Sequence, residues 1–227
     1  MKKLFTTVAA VTIAALSLTA QTKEGYVIYD TKIEGLPPEQ AAMGEMETKV
    51  YFKDGKSMTE VNSMMYSMQT VMDDKGMLML MDQMGNKFAV KQTKEEMEKE
   101  AAANKDKEKE PKIEYTTETK TIAGYECKKA IVTTYVGKDK KEEKVDVWYC
   151  EKFDNPNKQG AGRGGSLYKG LKGMPFEYSM NQNGLKINVV AKEVSTDPVS
   201  DSKFVLSTDG YKMMTMEELK AMGKGGK

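Results

Sequence analysis

The feature that most constrains the fold is a period-two alternation of apolar and polar residues, broken at short intervals by turn-forming residues. The clearest case is MPFEYSMNQNGLKINVVAKEV, residues 174–194, in which Asn183 and Gly184 form a favourable tight turn. Folding the segment at this turn places Tyr178 opposite Val189 and Met180 opposite Ile187, with polar residues on the other side. Such alternation is typical of antiparallel hairpins and predicts a mainly β fold.

Two further hairpins are predicted in the first half of the chain. A turn at Asp54 and Gly55 places Phe52 opposite Ser57. The next hairpin turns within residues 73–76, and both of its sides carry apolar residues. Which of these two sides faces inward is left open by the sequence.

Helix signals are few. Thr93 followed by Glu96 forms a capping box at the start of a charged helix, and Thr215 begins a short helix near the end of the chain. We therefore predict eight to eleven strands in a single curved antiparallel sheet, a half-barrel, with one inserted helix and a short C-terminal helix.

The ends of the sequence predict where the protein is located. Residues 1–20, MKKLFTTVAAVTIAALSLTA, have the basic start and uncharged apolar run of a signal peptide. We expect its removal to leave one domain at residues 21–222, followed by a disordered tail at 223–227. The mature protein is then periplasmic or secreted and does not span the membrane.

Composition excludes several classes of function. Without Lys2 and Lys3, the 34 acidic residues outnumber the basic ones by one, and Arg163 is the only arginine. Nucleic-acid binding calls for a clustered basic surface, so we expect none. The chain has no histidine, which removes histidine-dependent triads and histidine-containing metal sites. We expect no enzyme activity and no cofactor.

The two cysteines predict a disulfide. Folding the segments around Cys127 and Cys150 about a turn at Lys138 and Asp139 places the two residues opposite each other. Opposed strand positions lie within the Cα separation that a disulfide accepts, and an exported protein meets oxidising conditions.

A methionine-rich stretch, residues 63–87, contains eight methionines in twenty-five residues. Three interpretations remain open. Methionine can fill irregular gaps in a core, it can line an adaptable groove for acyl chains, or its thioethers can bind Cu(I).

Three segments, TIAGYECKKAIV with VDVWYC, GLKGMPFEYSM and KFVLSTDGYKMMTMEEL, resemble an uncharacterised domain-of-unknown-function family of Gram-negative envelope proteins. That family is similar to the LolA/LolB-like lipoprotein carriers. The resemblance implies a bent, unclosed sheet whose concave face accepts acyl chains. Arg163, in a glycine-rich segment, is a poor match for the buried arginine of the carriers, which weakens lipoprotein transfer as a function.

We therefore expect a monomeric periplasmic protein that holds a lipid, or the acyl chain of a lipoprotein, without catalysis. The alternatives are a Cu(I)-binding envelope protein and a structural or stress-related interaction module. The residues predicted to line the ligand surface are Met64, Met68, Met72, Met77, Met79, Met81, Phe176, Tyr178 and Met180.

Overall fold

The predicted alternation becomes twelve strands in the computed structural model, which describes residues 21–104, 110–136, 141–156, 168–182 and 184–222. The predicted signal peptide, the turn at Lys138 and Asp139, Arg163 and the predicted tail lie outside the described residues. The strands are β1 (Glu24–Glu34), β2 (Glu45–Lys53), β3 (Lys56–Asn62), β4 (Tyr66–Asp73), β5 (Gly76–Gln83), β6 (Asn86–Thr93), β7 (Lys112–Ile122), β8 (Tyr125–Val136), β9 (Lys141–Cys150), β10 (Met174–Gln182), β11 (Leu185–Ser195) and β12 (Lys212–Met214).

All twelve strands belong to one open, curved sheet with the order β12-β6-β5-β4-β3-β2-β1-β11-β10-β9-β8-β7. Every neighbouring pair is antiparallel except β12 and β6, which are parallel. The predicted fold class, a single curved antiparallel sheet with little helix, is therefore confirmed. The strand count exceeds the eight to eleven predicted, because turns at Met84–Gly85 and Ala123–Gly124 divide segments that carry no strong turn signal.

The predicted hairpin registers are confirmed in both halves of the sheet. Asp54 and Gly55 have positive φ values of 47° and 82°, and Phe52 lies opposite Ser57. On the other hairpin, Tyr178 lies opposite Val189 and Met180 opposite Ile187. Turn residues that accept positive φ fix the register, because a tight turn prevents the two strands from shifting relative to each other.

Two α-helices are present in the described part of the chain, α1 (Lys94–Asn104) and α2 (Met216–Met222). Both begin with a capping box, which was predicted for α1, and α2 begins after Thr215 as predicted. The Thr93 amide donates to Glu96 Oε2 at 2.8 Å, and the Glu96 amide donates to Thr93 Oγ1 at 3.2 Å. The same reciprocal pair joins Thr215 and Glu218 at 2.8 and 3.1 Å. Two short 3-10 helices, Pro38–Gly44 and Asp201–Phe204, complete the elements.

The main core lies on the half of the sheet formed by β1, β2 and β8–β11. Its centre is aromatic: the rings of Phe153 and Phe176 are 5.6 Å apart and those of Tyr125 and Phe153 are 4.9 Å apart. An adjoining cluster on β8 and β9 packs against Tyr168 and Leu171 from the β9–β10 connection. This half is therefore covered by the protein's own side chains.

A third cluster lies under residues 196–211, the connection from β11 to β12, which we call the strap. Val199 of the strap packs with Met58 and Val71 of β3 and β4, and Phe204 and Leu206 pack against the same cluster. The strap is held by polar contacts at its start. Val199 donates its amide to Glu24 Oε1 at 2.7 Å and accepts from Lys53 Nζ at 2.9 Å.

Candidate functional site

Five methionines from two neighbouring strands lie on the same side of the sheet. In the β4–β5 pairing, Met68 lies opposite Met81 and Met72 opposite Met77, while Met79 lies opposite Thr70. Residues directly opposed in a ladder point to the same side, so the five side chains form one continuous patch. We call Met68, Met72, Met77, Met79 and Met81 the methionine face. Within β4 and within β5, these methionines lie on the same side of the sheet, as the even spacing between them predicts.

The two sides of this hairpin are buried to different degrees. Val71 and Leu80, which point away from the methionine face, are 7% and 4% exposed. The five methionines are all only half-buried. The strap packs against Val71 on one side of the hairpin, where Leu78 is half-buried, and the methionine side is partly open to solvent.

The neighbouring strands set the borders of the methionine face. On one border, Val61 of β3 lies opposite Met68 and Ser57 opposite Met72. On the other border, Phe88 of β6 lies opposite Met81 and Val90 opposite Met79. The sequence does not predict Phe88 and Val90 as neighbours, because their assignment depends on the register that the Met84–Gly85 turn imposes.

Helix α1 lies beside the methionine face at its outer edge. Gln92 of β6 is opposite Met77, and its side-chain amide donates to Glu100 Oε2 of α1 at 3.0 Å. The helix packs against β5 and β6. A predicted solvated helix is thus attached to the sheet next to the patch, where it forms one wall.

Four of the predicted ligand-lining residues do not belong to the methionine face. Met64 precedes β4, in the turn after β3, and is 81% exposed. Phe176 is fully buried in the aromatic core. Tyr178 packs edge-on against Tyr168, and Met180 packs against the β8–β9 cluster. Five strands separate β10 from β5 in the sheet, but the registers place Tyr178 and Met180 on the same side of the sheet as the methionine face. That all nine residues line one ligand surface stays a prediction.

The predicted disulfide stays a prediction. Cys127 and Cys150 are both buried and in contact, and the structure describes them as free thiols. Their hydrogen bond lowers the pKa of Cys150 to about 7 and raises the pKa of Cys127. The predicted register around them is nonetheless confirmed, since Ala130 lies opposite Val147 and Val132 opposite Val145.

A cavity outside the methionine face differs from it in chemistry. It has a volume of about 360 Å³, opens to solvent, and is lined by Lys144, Asp146, Trp148, Glu177 and Ser179 among others. Its two carboxylates are already paired, since Lys120 binds Glu177 at 2.6 Å and Lys129 binds Asp146 at 2.8 Å. A polar opening of this kind does not suit an acyl chain.

The described ranges contain neither a metal-binding cluster of these residue types nor a membrane-crossing helix. No group of three or more histidine, cysteine, aspartate or glutamate residues there has the arrangement to hold a metal ion. Within the same ranges, neither helix combines the length and the apolar character needed to cross a bilayer.

Comparison with known proteins gives the fold and the family. No curated protein matches the sequence. Among solved structures, PNGF-II aligns with a TM-score of 0.51 and 15% identity over 88% of this chain and 33% of its own, so the chain spans about a third of that protein. This likeness shows a shared fold alone.

Two other solved structures align more weakly. The lipoprotein LppX of Mycobacterium tuberculosis matches over 77% of this chain and 88% of its own, with 8% identity and a TM-score of 0.37. The β-barrel-like DUF1849 protein of Brucella abortus matches over 77% of this chain and 98% of its own, with 6% identity and a TM-score of 0.31. Neither score supports a conclusion about function. Residues 38–163, more than half of the chain, match the family described as Domain of unknown function (DUF4412), and the chain belongs to that family.

Proposed function

We propose that this protein binds an apolar ligand, a lipid or the acyl chain of a lipoprotein, on the methionine face. The observation that supports this most directly is the asymmetry of the β4–β5 hairpin. The protein covers one side of it with the strap and leaves five adjacent methionines half-buried on the other. A contiguous apolar patch that the protein itself does not fully cover is a candidate interaction surface.

The chemistry of methionine suits a ligand of variable shape. Its side chain is unbranched, has three rotatable bonds and adapts to different neighbours without a fixed pocket. Complete burial of a sixteen-carbon chain stabilises a complex by on the order of 10 kcal/mol before ordering costs, at about 0.8 kcal/mol per methylene. Micromolar binding corresponds to about 8 kcal/mol, so most of the chain has to be buried against the face.

The setting we propose follows from the first twenty residues. The protein is exported to the periplasm, loses residues 1–20 as a signal peptide and works as a monomer without catalysing a reaction. The lack of histidine and the methionine face together support a role in holding a ligand.

The test is lipid extraction and native mass spectrometry of the protein purified from cells, with displacement of a fluorescent fatty acid as the quantitative assay. We expect a co-purifying lipid and micromolar probe binding. Replacing Met77 and Met79 with serine should weaken probe binding at least tenfold. The matched control replaces Met213, which is 52% exposed on β12, with serine. Absence of lipid and of probe binding, or equal loss in the control, contradicts the proposal.

A second candidate, Cu(I) binding, is favoured by the cross-strand register. Methionines two apart on one strand are too far apart to share an ion easily, but the pairs Met68–Met81 and Met72–Met77 are directly opposed. Thioether sulfur is a ligand that selects Cu(I).

One set of variants separates the two functions. Replacing Met77, Met79 and Met81 with leucine keeps the apolar area and removes three sulfur atoms. Apolar binding predicts that probe affinity survives this change, whereas Cu(I) binding predicts loss of metal in competition with a Cu(I)-specific chelator. If both assays are negative for the unmodified protein, a structural interaction module is left as the explanation.

A further inference from the structure

The four-strand ribbon β3–β6 has chemically different ends. In this meander, the β2–β3 and β4–β5 turns lie at one end, and the β3–β4 and β5–β6 turns lie at the other. The first end has Asp54–Gly55 and Asp74–Lys75 at its turn centres, as expected for solvent-exposed turns. The second end has Met64–Met65 and Met84–Gly85. We call Met64, Met65 and Met84 the tip methionines.

The tip methionines point into solvent. Met64 and Met84 are 81% and 78% exposed, and Met65 is also exposed. The two turns are neighbours, because β4 and β5 are paired and Tyr66 lies opposite Gln83 at the last position before the turns. The tips therefore form one protruding apolar end.

The side chains of the tip methionines do not stabilise the β3–β4 and β5–β6 turns. In the first turn, Ser63 Oγ accepts hydrogen bonds from the amides of Met65 and Tyr66, at 3.3 and 3.1 Å. In the second, Asp82 Oδ1 accepts from the Gly85 amide at 2.8 Å. Polar side chains beneath the tips hold both turns, so the tip side chains are not needed for folding.

One tip methionine occupies an unfavourable backbone position. Met84 has φ 52°, a left-handed conformation in which asparagine, aspartate and glycine are several-fold enriched. Asparagine before Gly85 would form a better turn. A residue that disfavours its own turn and stays in solvent indicates a role outside folding.

We propose that the tip methionines insert into the surface of a lipid bilayer. A convex end with flexible, unbranched side chains fits a fluid that deforms around it, whereas protein interfaces are anchored by residues such as tryptophan, tyrosine and arginine. Directly behind the tips is a polar layer at headgroup depth, formed by exposed Asn62, Gln83, Asn86 and Lys87. Asp82 lies opposite Lys87 in the ladder, so this layer has no net charge and the contact does not depend on anionic lipid.

The tips are continuous with the methionine face. From the tip end, β4 and β5 lead through Tyr66 and Gln83 to the Met68–Met81 pair. The inference rests on the proposed function in this respect, since a bilayer is where a lipid ligand is taken up or released. The tip contact gives that ligand a short apolar path to its binding surface.

The experiment measures flotation of the protein with neutral phosphatidylcholine vesicles. The test variant combines Met64→Ser with Met84→Asn, and the control combines Met213→Ser with Met222→Ser, which removes two exposed methionines elsewhere. We expect the unmodified protein and the control to float and the tip variant to bind about a hundredfold less, at about tenfold per methionine. Thermal unfolding should show a tip variant at least as stable as the parent, because asparagine followed by glycine is a favoured turn pair.

Several results would overturn the proposal. These are an unmodified protein that does not float, a tip variant that floats equally well, a control that loses binding to the same extent, or binding confined to anionic vesicles and abolished by salt. A tip-dependent change in self-association without flotation would assign the tips to a second copy of the chain instead.

Fatty-acid displacement without vesicles separates this inference from the proposed function. The tip variant should keep probe binding while losing flotation. An unmodified protein that floats with the vesicles but does not bind the probe would contradict the proposed function and leave the bilayer contact supported.

Discussion

The two halves of the sheet use different apolar residue types and bury them to different degrees. The half formed by β1, β2 and β8–β11 uses rigid aromatic rings, such as Phe153 and Phe176, and buries them fully. The half formed by β3–β6 uses methionine, and its methionine face is only half-buried. Rings with few torsions specify one packing arrangement, whereas methionine accepts many. The aromatic half therefore supplies stability, and the methionine half keeps an adaptable surface.

The largest difference in stability is expected between Phe176→Ala and Met72→Ala. We expect Phe176→Ala to lower the free energy of unfolding by about 3–5 kcal/mol, because it leaves a cavity among packed rings. Met72→Ala should cost about 1 kcal/mol, since its side chain is only half-buried. Urea titration with unchanged m-values measures both. Equal losses would show that the methionine half is packed as tightly as the aromatic half.

The same comparison of stability can be made within one strand, at two adjacent residues of β5. Leu80 faces away from the methionine face and is buried, while Met79 is half-buried on it. We expect Leu80→Ala to cost about 3 kcal/mol and Met79→Ala about 1 kcal/mol. Chemical denaturation gives the stabilities, and fatty-acid titration should show the opposite ranking for binding. A larger stability loss at Met79 would assign the methionine side to the core.

The attachment of α1 tests the wall of the methionine face. Thr93→Ala removes the hydroxyl that accepts from the Glu96 amide and should cost about 1 kcal/mol in stability. Hydrogen exchange should increase in α1 first, and the fatty-acid probe should dissociate faster. Thr215→Ala, at the cap of α2, is the matched control and should leave probe dissociation unchanged. Faster dissociation in both variants would exclude a specific role of α1.

The smallest expected effect concerns the strap. The Val199 amide donates to the Glu24 carboxylate and lowers its pKa below the ordinary value of 4.5. A lowered folded-state pKa means that the stabilisation is complete above pH 4.5 and is lost as the pH falls through the lowered pKa. Glu24→Gln should therefore melt at a lower temperature than the parent near pH 7, and the difference should shrink below pH 4.5. A difference that is constant with pH would mean that the carboxylate charge does not hold the strap.

The sequence predicts the fold where local chemistry decides it. The turns predicted at Asp54 with Gly55 and at Asn183 with Gly184 give the correct hairpin registers, the predicted capping box forms at Thr93, and the short helix begins after Thr215. The turn at Met84–Gly85 has no comparable signal, because methionine is rarely found at positive φ. Its register became evident only from the sheet.

The candidate site was predicted in part, for a topological reason. Met68 to Met81 are close in sequence, so one hairpin brings them together. Grouping them with Phe176 and Tyr178 required the strand order, which places β1 beside β11 and separates β10 from β5. Local periodicity contains no information on that order. The burial of Val71 under the strap is likewise a long-range contact that the alternation does not reveal.

The parallel pairing of β12 with β6 has a consequence for solubility. Without Lys212–Met214, the backbone of β6 would offer a free edge next to a hairpin that is apolar on both sides. Free edges of this kind recruit strands from other molecules and seed fibrils. The three residues of β12 pair with part of this edge and so shorten the length of backbone that a strand of another molecule could join.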